Sequence, residues 1–190
     1  MNAFYNWFFP VVWTAFLVYW QIAAAGAKTT QRIESIPSRI FRTVFFFSGI
    51  LLLCWPRIPF PWLYRHFLPE ATWTFFLGAA LAVAGLLFSI WARIVLGANW
   101  SRSVTIKQGH ELITAGPYSL VRHPIYTGLL TAFLGSAIAT TQVRGLLAVA
   151  LIFLSLWYKL RLEEKWMRTQ FGAIYVDYTR HTAALIPWLI

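Results

Sequence analysis

Long apolar runs separated by short polar connections are the main pattern along this chain. A helix needs roughly 20 residues to cross a membrane, within a range of about 17 to 25. Two of the five apolar runs meet this length easily, and the other three lie near its lower limit. The runs cover residues 4–27, 40–55, 72–92, 124–141 and 143–158. The pattern predicts an all-α integral membrane protein with about five transmembrane helices.

The first run could also be read as a signal peptide. Residues 23–27 are alanines and one glycine, and they resemble a cleavage site. However, no basic residue precedes the run, and it is longer than the roughly 7 to 15 apolar residues of a signal sequence. We therefore interpret it as the first transmembrane helix.

The carboxyl-terminal part of the chain predicts a helical hairpin followed by a tail. The polar turn at residues 140–145 is short, so the last two apolar runs should be antiparallel neighbours. The helical pattern continues through Glu163-Glu164, breaks at Gly172 and restarts near Ile174. Gly172 suits the position just after a helix end. The final residues 183–190 are too few to span, and we expect them to pack back at the membrane surface.

These predictions divide the chain into two parts. Residues 1–92 carry three N-terminal transmembrane helices. Residues 93–190 form a core made of a long loop, the helical hairpin at 124–158 and the tail.

Composition supports a membrane protein and argues against nucleic-acid binding. The chain is 59% hydrophobic and 12% charged, whereas soluble domains are about 25% charged. The net charge of +10 comes from basic residues spread singly through short connections rather than from a basic patch. The single cysteine, Cys54, lies within an apolar run, where packing is its expected role.

The basic residues also predict an orientation. With five spans, Arg57, Arg65 and Arg144 fall on one side, and the other thirteen of the 16 Lys and Arg residues fall on the opposite side. Short cytoplasmic connections carry an excess of Lys and Arg. We therefore expect the amino terminus outside and the carboxyl terminus in the cytoplasm.

Residues 116–126 are the densest polar stretch and lie directly before an apolar run. They include two prolines, two tyrosines, an arginine and a histidine. Pro124 suits the first position of the next helix, where its missing N–H is not needed. Arg122 and His123 then lie near the positive end of that helix dipole, which disfavours cations. This conflict suggests that a ligand or partner group lies nearby.

The acidic pair Glu163-Glu164 is a second candidate for chemistry. Adjacent helical residues lie roughly 100° apart, so one carboxylate could enter a cavity while the other pairs outward with Lys165 or Arg168. A fully solvated pair is the alternative, and spacing alone favours it. Likewise, His110 and His123 could be structural, and Tyr118 could be an ordinary interface tyrosine.

Other kinds of site find no support. The histidines are not at metal-ligand spacings, and one cysteine adds no zinc motif. The chain contains no glycine-rich nucleotide-binding motif.

Several motifs together resemble the isoprenylcysteine carboxyl methyltransferase family of integral membrane methyltransferases. They occur in the family's order along the carboxyl-terminal half. The matching stretches are Leu96-Gly97-Ala98-Asn99-Trp100-Ser101, the segment from His110 to Tyr118, Arg122-His123-Pro124-Ile125-Tyr126, Glu163-Glu164, and Phe171-Gly172-Ala173-Ile174-Tyr175-Val176-Asp177-Tyr178. The amino-terminal spans resemble the family only in hydrophobicity.

The resemblance implies a cytosol-facing pocket for S-adenosylmethionine, formed by the loop before the fourth helix and the tail. Glu163 occupies the position of a cofactor-binding glutamate. The remaining implied cofactor-binding residues are His110, Glu111, Leu112, Ile113, Tyr118, His123, Pro124, Ile125 and Tyr126. The family's substrate-side arginine falls on Lys159, and Arg161 follows two residues later. Lys159, Arg161 and Glu164 are therefore the candidate catalytic residues.

The sequence thus favours a carboxyl O-methyltransferase that transfers a methyl group from S-adenosylmethionine to a lipid-like acceptor, such as the carboxylate of a prenylated cysteine. One alternative is a phospholipid amine N-methyltransferase, which needs a base such as His123 or Glu164 because an amine must lose a proton first. A sterol-type membrane reductase and a non-enzymatic membrane subunit are further alternatives. Membrane lipids are the expected surroundings, nucleic acid is not an expected partner, and the oligomeric state is open.

Overall fold

A computed structural model describes residues 3–24, 30–55, 57–97, 100, 105–107 and 112–187. This part of the chain contains six helices, two short strands and two single 3-10 turns. The helices are α1 (Ala3–Ala24), α2 (Ile36–Cys54), α3 (Thr72–Leu96), α4 (Pro124–Thr140), α5 (Val143–Phe171) and α6 (Ala173–His181). The strands are β1 (Thr30–Ile33) and β2 (Thr105–Lys107), and the 3-10 turns are Pro61–Tyr64 and Gly116–Ser119.

The predicted helical membrane architecture is confirmed. Helices α1, α2, α3 and α5 are long and apolar enough to cross a membrane, and α4 is a shorter apolar helix of 17 residues. Helix α2 begins at Ile36, before the predicted apolar run, because Pro37 is tolerated in a first turn. Helix α5 continues past its apolar part to Phe171, and Gly172 ends it with a φ of 54°.

The connections between helices gather at two ends of the bundle. At one end, β1 pairs antiparallel with β2, which joins the connection after α1 to the connection after α3. At the other end, the Phe67 N–H donates to Thr141 O at 2.9 Å, and the Val143 N–H donates to Arg65 O at 2.9 Å. We call the end with the strand pair the basic end, because the five predicted spans assign thirteen of the 16 Lys and Arg residues to this side. The other end is the opposite end.

Helices α3 and α4 approach each other closely through glycines. Gly78 and Gly85 on α3 face Gly135 and Gly128 on α4, and a Cβ at any of them would overlap backbone atoms of the other helix. Small residues permit such close contact between membrane helices, where packing replaces the hydrophobic driving force. As a result, α4 is held at a fixed depth and angle, and its first turn has a defined position at the basic end.

The tail folds back onto the start of α4. The N–H groups of Arg122 and His123 donate to Ala183 O at 2.8 Å and Ala184 O at 3.0 Å. The Thr127 hydroxyl donates to Leu185 O at 2.7 Å. These bonds fix the stretch just before α4, where helix geometry provides no partners for the first N–H groups.

The loop before α4 is held by α6 as well. The Tyr178 hydroxyl donates to Tyr118 O. Burial raises the pKa of Tyr178 to about 12, an effect that the nearby Arg122 partly offsets. The hydroxyl therefore stays protonated and able to donate. The loop and the tail, which the resemblance assigns to one site, are thus in direct contact.

Candidate active site

Charged and polar side chains from α2, the start of α4 and α5 converge at the basic end. We call this group the polar cluster. Its members are Glu34, Arg42, Arg122, His123, Tyr126, Lys159, Glu163 and Glu164. These members include three carboxylates and three fixed cations, which balance in charge. A balanced cluster can accept a cationic and an anionic ligand together without a net charge remaining.

Glu163 and Tyr126 form the centre of the polar cluster. The buried Tyr126 hydroxyl lies 2.7 Å from both carboxylate oxygens of Glu163, and it can donate its proton to either. His123 Nδ1 lies 3.7 Å from Glu163 Oε2. The rings of His123 and Tyr126 are nearly parallel, with centroids 5.5 Å apart. This arrangement presents a carboxylate and two aromatic faces together, which is a suitable surface for a cation.

Lys159 lies beside this centre, one helical turn before Glu163. Its Nζ is 3.9 Å from Glu163 Oε1 and 5.3 Å from the centroid of the Tyr126 ring. The side chain is 12% exposed, so its ammonium is largely removed from bulk solvent. A cation in such surroundings attracts an anionic group more strongly than one on an open surface.

Glu164 has a different environment from Glu163. Arg122 donates to Glu164 Oε1 through Nε at 2.8 Å and Nη2 at 2.6 Å, and the two side chains are 11% and 8% exposed. Arg122 also donates to the carbonyl of Thr182. Glu164 therefore neutralises Arg122 at the start of α4, which resolves the conflict with the helix dipole. It is the carboxylate that pairs internally, while Glu163 is 25% exposed.

His123 keeps one unmatched group. Its Nε2 is buried and makes no hydrogen bond within the described part of the chain. Glu164 Oε1 lies 3.5 Å from this nitrogen and already accepts hydrogen bonds from Arg122. A buried imidazole nitrogen of this kind can still accept or donate a hydrogen bond.

The other predicted site residues are not members of the polar cluster. Pro124 and Ile125 are buried in the first turn of α4, and the buried Tyr118 hydroxyl lies 3.4 Å from Ala92 O. Leu112 and Ile113 are half-buried. Arg161 is exposed and lies over the Trp157 ring, outside the polar cluster. His110 and Glu111 lie outside the described residues.

Sequence reasoning missed Glu34 and Arg42. The Glu34 side chain is fully buried, and it accepts hydrogen bonds from Arg42 and from the Ser38 hydroxyl. One signal was present: Glu34 is the only acid in the first 69 residues, and it lies in the short connection between two apolar runs. Such an acid rarely stays buried without a paired cation. In the part of the chain that the structure describes, no group of three His, Cys, Asp or Glu side chains could hold a metal ion.

Comparison with known proteins places this chain in a family. A model described as phospholipid methyltransferase matches residues 73–174, which is more than half of the chain. The chain belongs to the phospholipid methyltransferase family. The match includes α3, α4 and most of the polar cluster, but Glu34 and Arg42 precede it.

Individual relatives agree with the motif resemblance. The chain is 25% identical over 133 residues to protein-S-isoprenylcysteine O-methyltransferase B of Arabidopsis thaliana, covering 68% of this chain and 65% of the relative. It is 30% identical over 119 residues to the corresponding Saccharomyces cerevisiae protein, covering 60% and 48%. The predicted similarity to the isoprenylcysteine methyltransferases is confirmed.

Another relative is named for metal resistance and not for methyl transfer. The cobalt-zinc-cadmium resistance protein CzcN of Cupriavidus metallidurans is 31% identical over 115 residues, covering 60% of this chain and 47% of that protein. The chain thus spans less than two thirds of the length of each of these curated relatives.

Proposed function

We propose that the chain is a membrane methyltransferase that uses S-adenosylmethionine and methylates the carboxylate of a lipid-like acceptor, such as a prenylated cysteine. One observation carries the proposal. The Glu163–Tyr126–His123 group and Lys159 lie side by side, so a surface suited to a cation adjoins a cation suited to a carboxylate. The family membership supports methyl transfer, and the isoprenylcysteine methyltransferase relatives support a prenylated cysteine as the acceptor.

The residues of the polar cluster fit the proposed cofactor. S-adenosylmethionine, when bound, supplies a methyl group on a positively charged sulfonium. The Glu163 carboxylate and the aromatic faces of Tyr126 and His123 suit its cationic groups. Unmatched His123 Nε2 offers one further polar contact. We also assign Leu112, Ile113, Tyr118, Pro124 and Ile125 to its binding surface, together with His110 and Glu111.

The acceptor side requires little chemistry from the protein. A carboxylate is already ionised at neutral pH and needs no general base. Lys159 would attract it and hold it beside the cofactor surface. The main contribution is then positioning and exclusion of water, and positioning can lower a barrier by as much as about 7–11 kcal/mol.

Glu164 and Arg161 suit supporting roles better than catalytic ones. Glu164 is engaged by Arg122, so we assign it to positioning of the α4 start. Arg161 is exposed and would act only on a part of the acceptor that extends beyond the polar cluster.

We further propose that the basic end faces the cytoplasm. Thirteen of the 16 Lys and Arg residues belong to this end in the sequence, as expected for the cytoplasmic side of a membrane protein. The cofactor would then enter from the cytosol, and a lipid-like acceptor would enter from within the membrane.

A phospholipid amine is the second candidate acceptor, because the matching family model is described as phospholipid methyltransferase. An amine must lose its proton before it can accept a methyl group, and His123 Nε2 is the available base. The Lys159 ammonium can attract a carboxylate but not a neutral amine, which makes the carboxylate acceptor the better fit.

Binding of S-adenosylmethionine to the purified protein in detergent tests the proposal. We expect saturable binding by calorimetry, and a loss of roughly tenfold or more in affinity for Glu163→Gln, which removes a charge that pairs with the cofactor. Tyr126→Phe keeps the ring but removes the hydroxyl that orients Glu163, so a smaller loss is expected.

Glu70→Gln is the matched control, because Glu70 is an exposed glutamate at the opposite end. It should bind as the unmodified protein does. Absence of binding in a folded sample would refute the cofactor assignment. Methyl transfer to a phospholipid amine, but not to a prenylated cysteine, would favour the second candidate.

A further inference from the structure

Arg42 and Glu34 form a buried ion pair that the family match does not include. Glu34 precedes α2, and Arg42 lies in the second turn of α2, whereas the matched region begins at residue 73. The Glu34 side chain is fully buried, and the Arg42 side chain is 15% exposed. Buried ion pairs contribute little net stability because both groups lose hydration. Stability alone therefore does not explain this pair.

The position of Arg42 connects it to the candidate active site. The Ser155 hydroxyl on α5 donates to Arg42 O at 2.8 Å, and Ser155 lies one turn before Lys159. This bond fixes α2 against the part of α5 that carries Lys159 and Glu163. Arg42 is also close enough to act electrostatically on both Tyr126 and Lys159. Arg42 on α2 therefore lies next to the segment of α5 that carries Lys159, whose Nζ is 5.3 Å from the centroid of the Tyr126 ring.

Arg42 retains an unused hydrogen-bond donor. One terminal nitrogen of its guanidinium donates to Glu34, which fixes the orientation of the group. Its Nε is buried and has no hydrogen-bond partner within the described residues. Buried donors are normally satisfied, so an unmatched one calls for an explanation. Guanidinium N–H groups bind carboxylates well through charge-assisted hydrogen bonds.

We propose that Arg42, oriented by Glu34, binds the carboxylate of the methyl acceptor together with Lys159. This inference rests on the proposed methyltransferase function and deepens it, because it assigns acceptor recognition to a residue of α2. The cofactor would contact Glu163, Tyr126 and His123, while Arg42 and Lys159 would hold the anionic acceptor. In this arrangement α2 confers a preference for acids over neutral lipids.

Paired ligands that differ only in charge provide the test. The probes are an N-acetylated S-farnesyl cysteine with a free carboxylate and its carboxamide, measured as binding to the full chain in detergent. For the unmodified protein we expect the carboxylate to bind at least tenfold more tightly than the carboxamide. Arg42→Gln should reduce carboxylate affinity roughly tenfold and leave carboxamide affinity within about twofold, because only the charged ligand loses a partner.

Two further variants sharpen the result. Arg42→Lys keeps the charge but loses the fixed planar donor, so an intermediate preference is expected. Arg39→Gln is the matched control, because Arg39 is an exposed arginine one turn earlier on the same helix. It should keep the full preference for the carboxylate.

The outcomes separate this inference from the proposed function. Binding of S-adenosylmethionine is measured on the same samples and should stay within about twofold of the unmodified protein in Arg42→Gln. Equal losses for both farnesyl ligands, an unchanged preference, or lost cofactor binding in this variant would refute the role of Arg42. Failure of the unmodified protein to bind S-adenosylmethionine would refute the proposed function itself, and the inference with it.

Discussion

Glu163 and Glu164 are adjacent in the chain, yet their carboxylates contact different residues and have separate tasks. Their directions on α5 differ by roughly 100°. Glu163 therefore reaches Tyr126 and Lys159, whereas Glu164 reaches Arg122 just before α4. One carboxylate stays partly open to a ligand and the other fixes the chain that carries His123. One residue of the acidic pair thus belongs to the proposed binding surface, and the other stabilises the segment that carries His123.

This difference predicts that two similar substitutions destabilise the protein to different extents. Glu164→Gln leaves Arg122 as a buried charge without its partner, and breaking such a pair costs about 3–5 kcal/mol. Glu163→Gln should cost about 1 kcal/mol or less, because the site is partly exposed and the amide oxygen can still accept from Tyr126. Thermal unfolding of both variants in detergent measures the difference. Equal destabilisation would contradict the assignment of separate tasks.

At the element scale, the close contact of α3 and α4 sets the depth of the site. The contact depends on glycines that leave backbone atoms exposed to each other, and the Ser89 hydroxyl of α3 donates to Ile125 O at 3.1 Å across it. Pro124 and Tyr126 belong to the same turn of α4 as Ile125. Any separation of the two helices would therefore move the residues of the polar cluster.

Gly85→Leu should open this contact. A side chain at Gly85 meets the backbone of Gly128 and Ala132, which cannot move aside as a flexible side chain can. Overpacking of this kind costs about 1–3 kcal/mol, or more when backbone must shift. We expect a lower melting temperature and weaker cofactor binding. Ala84→Leu adds bulk at the preceding residue, which is exposed, and this variant should behave as the unmodified protein. Similar losses in both variants would refute the role of the glycine contact.

The elements themselves were largely predictable from sequence, whereas their pairing was not. Apolar length, Pro124 and Gly172 are local signals, and they correctly predicted the start of α4 and the break between α5 and α6. The pairing of β1 with β2 joins segments about 70 residues apart and has no local pattern. The place of Arg42 at the candidate site was missed for the same reason, because it depends on the contact between α2 and α5.

At the scale of the whole molecule, the two ends of the bundle differ in charge and in connections. The basic end contains the strand pair, the tail and the polar cluster. The opposite end contains the connection after α2 and the turn between α4 and α5, where Arg144 donates to Trp55 O at 2.6 Å. An odd number of crossings puts the two termini on different sides. Five crossings by α1 to α5 would fit the termini on opposite sides of the membrane that the charge pattern predicts.

The orientation itself can be tested with single cysteines. A Cys54→Ser background removes the only native thiol. Glu70→Cys then probes an exposed site at the opposite end, and Lys165→Cys probes an exposed site on α5 at the basic end. In intact cells, a maleimide that cannot cross the membrane should label the Glu70 variant at once and the Lys165 variant only after permeabilisation. The reverse pattern would place the polar cluster outside the cytoplasm, away from the supply of S-adenosylmethionine. Because cofactor access depends on this orientation, the labelling result bears on the proposed reaction as well as on the topology.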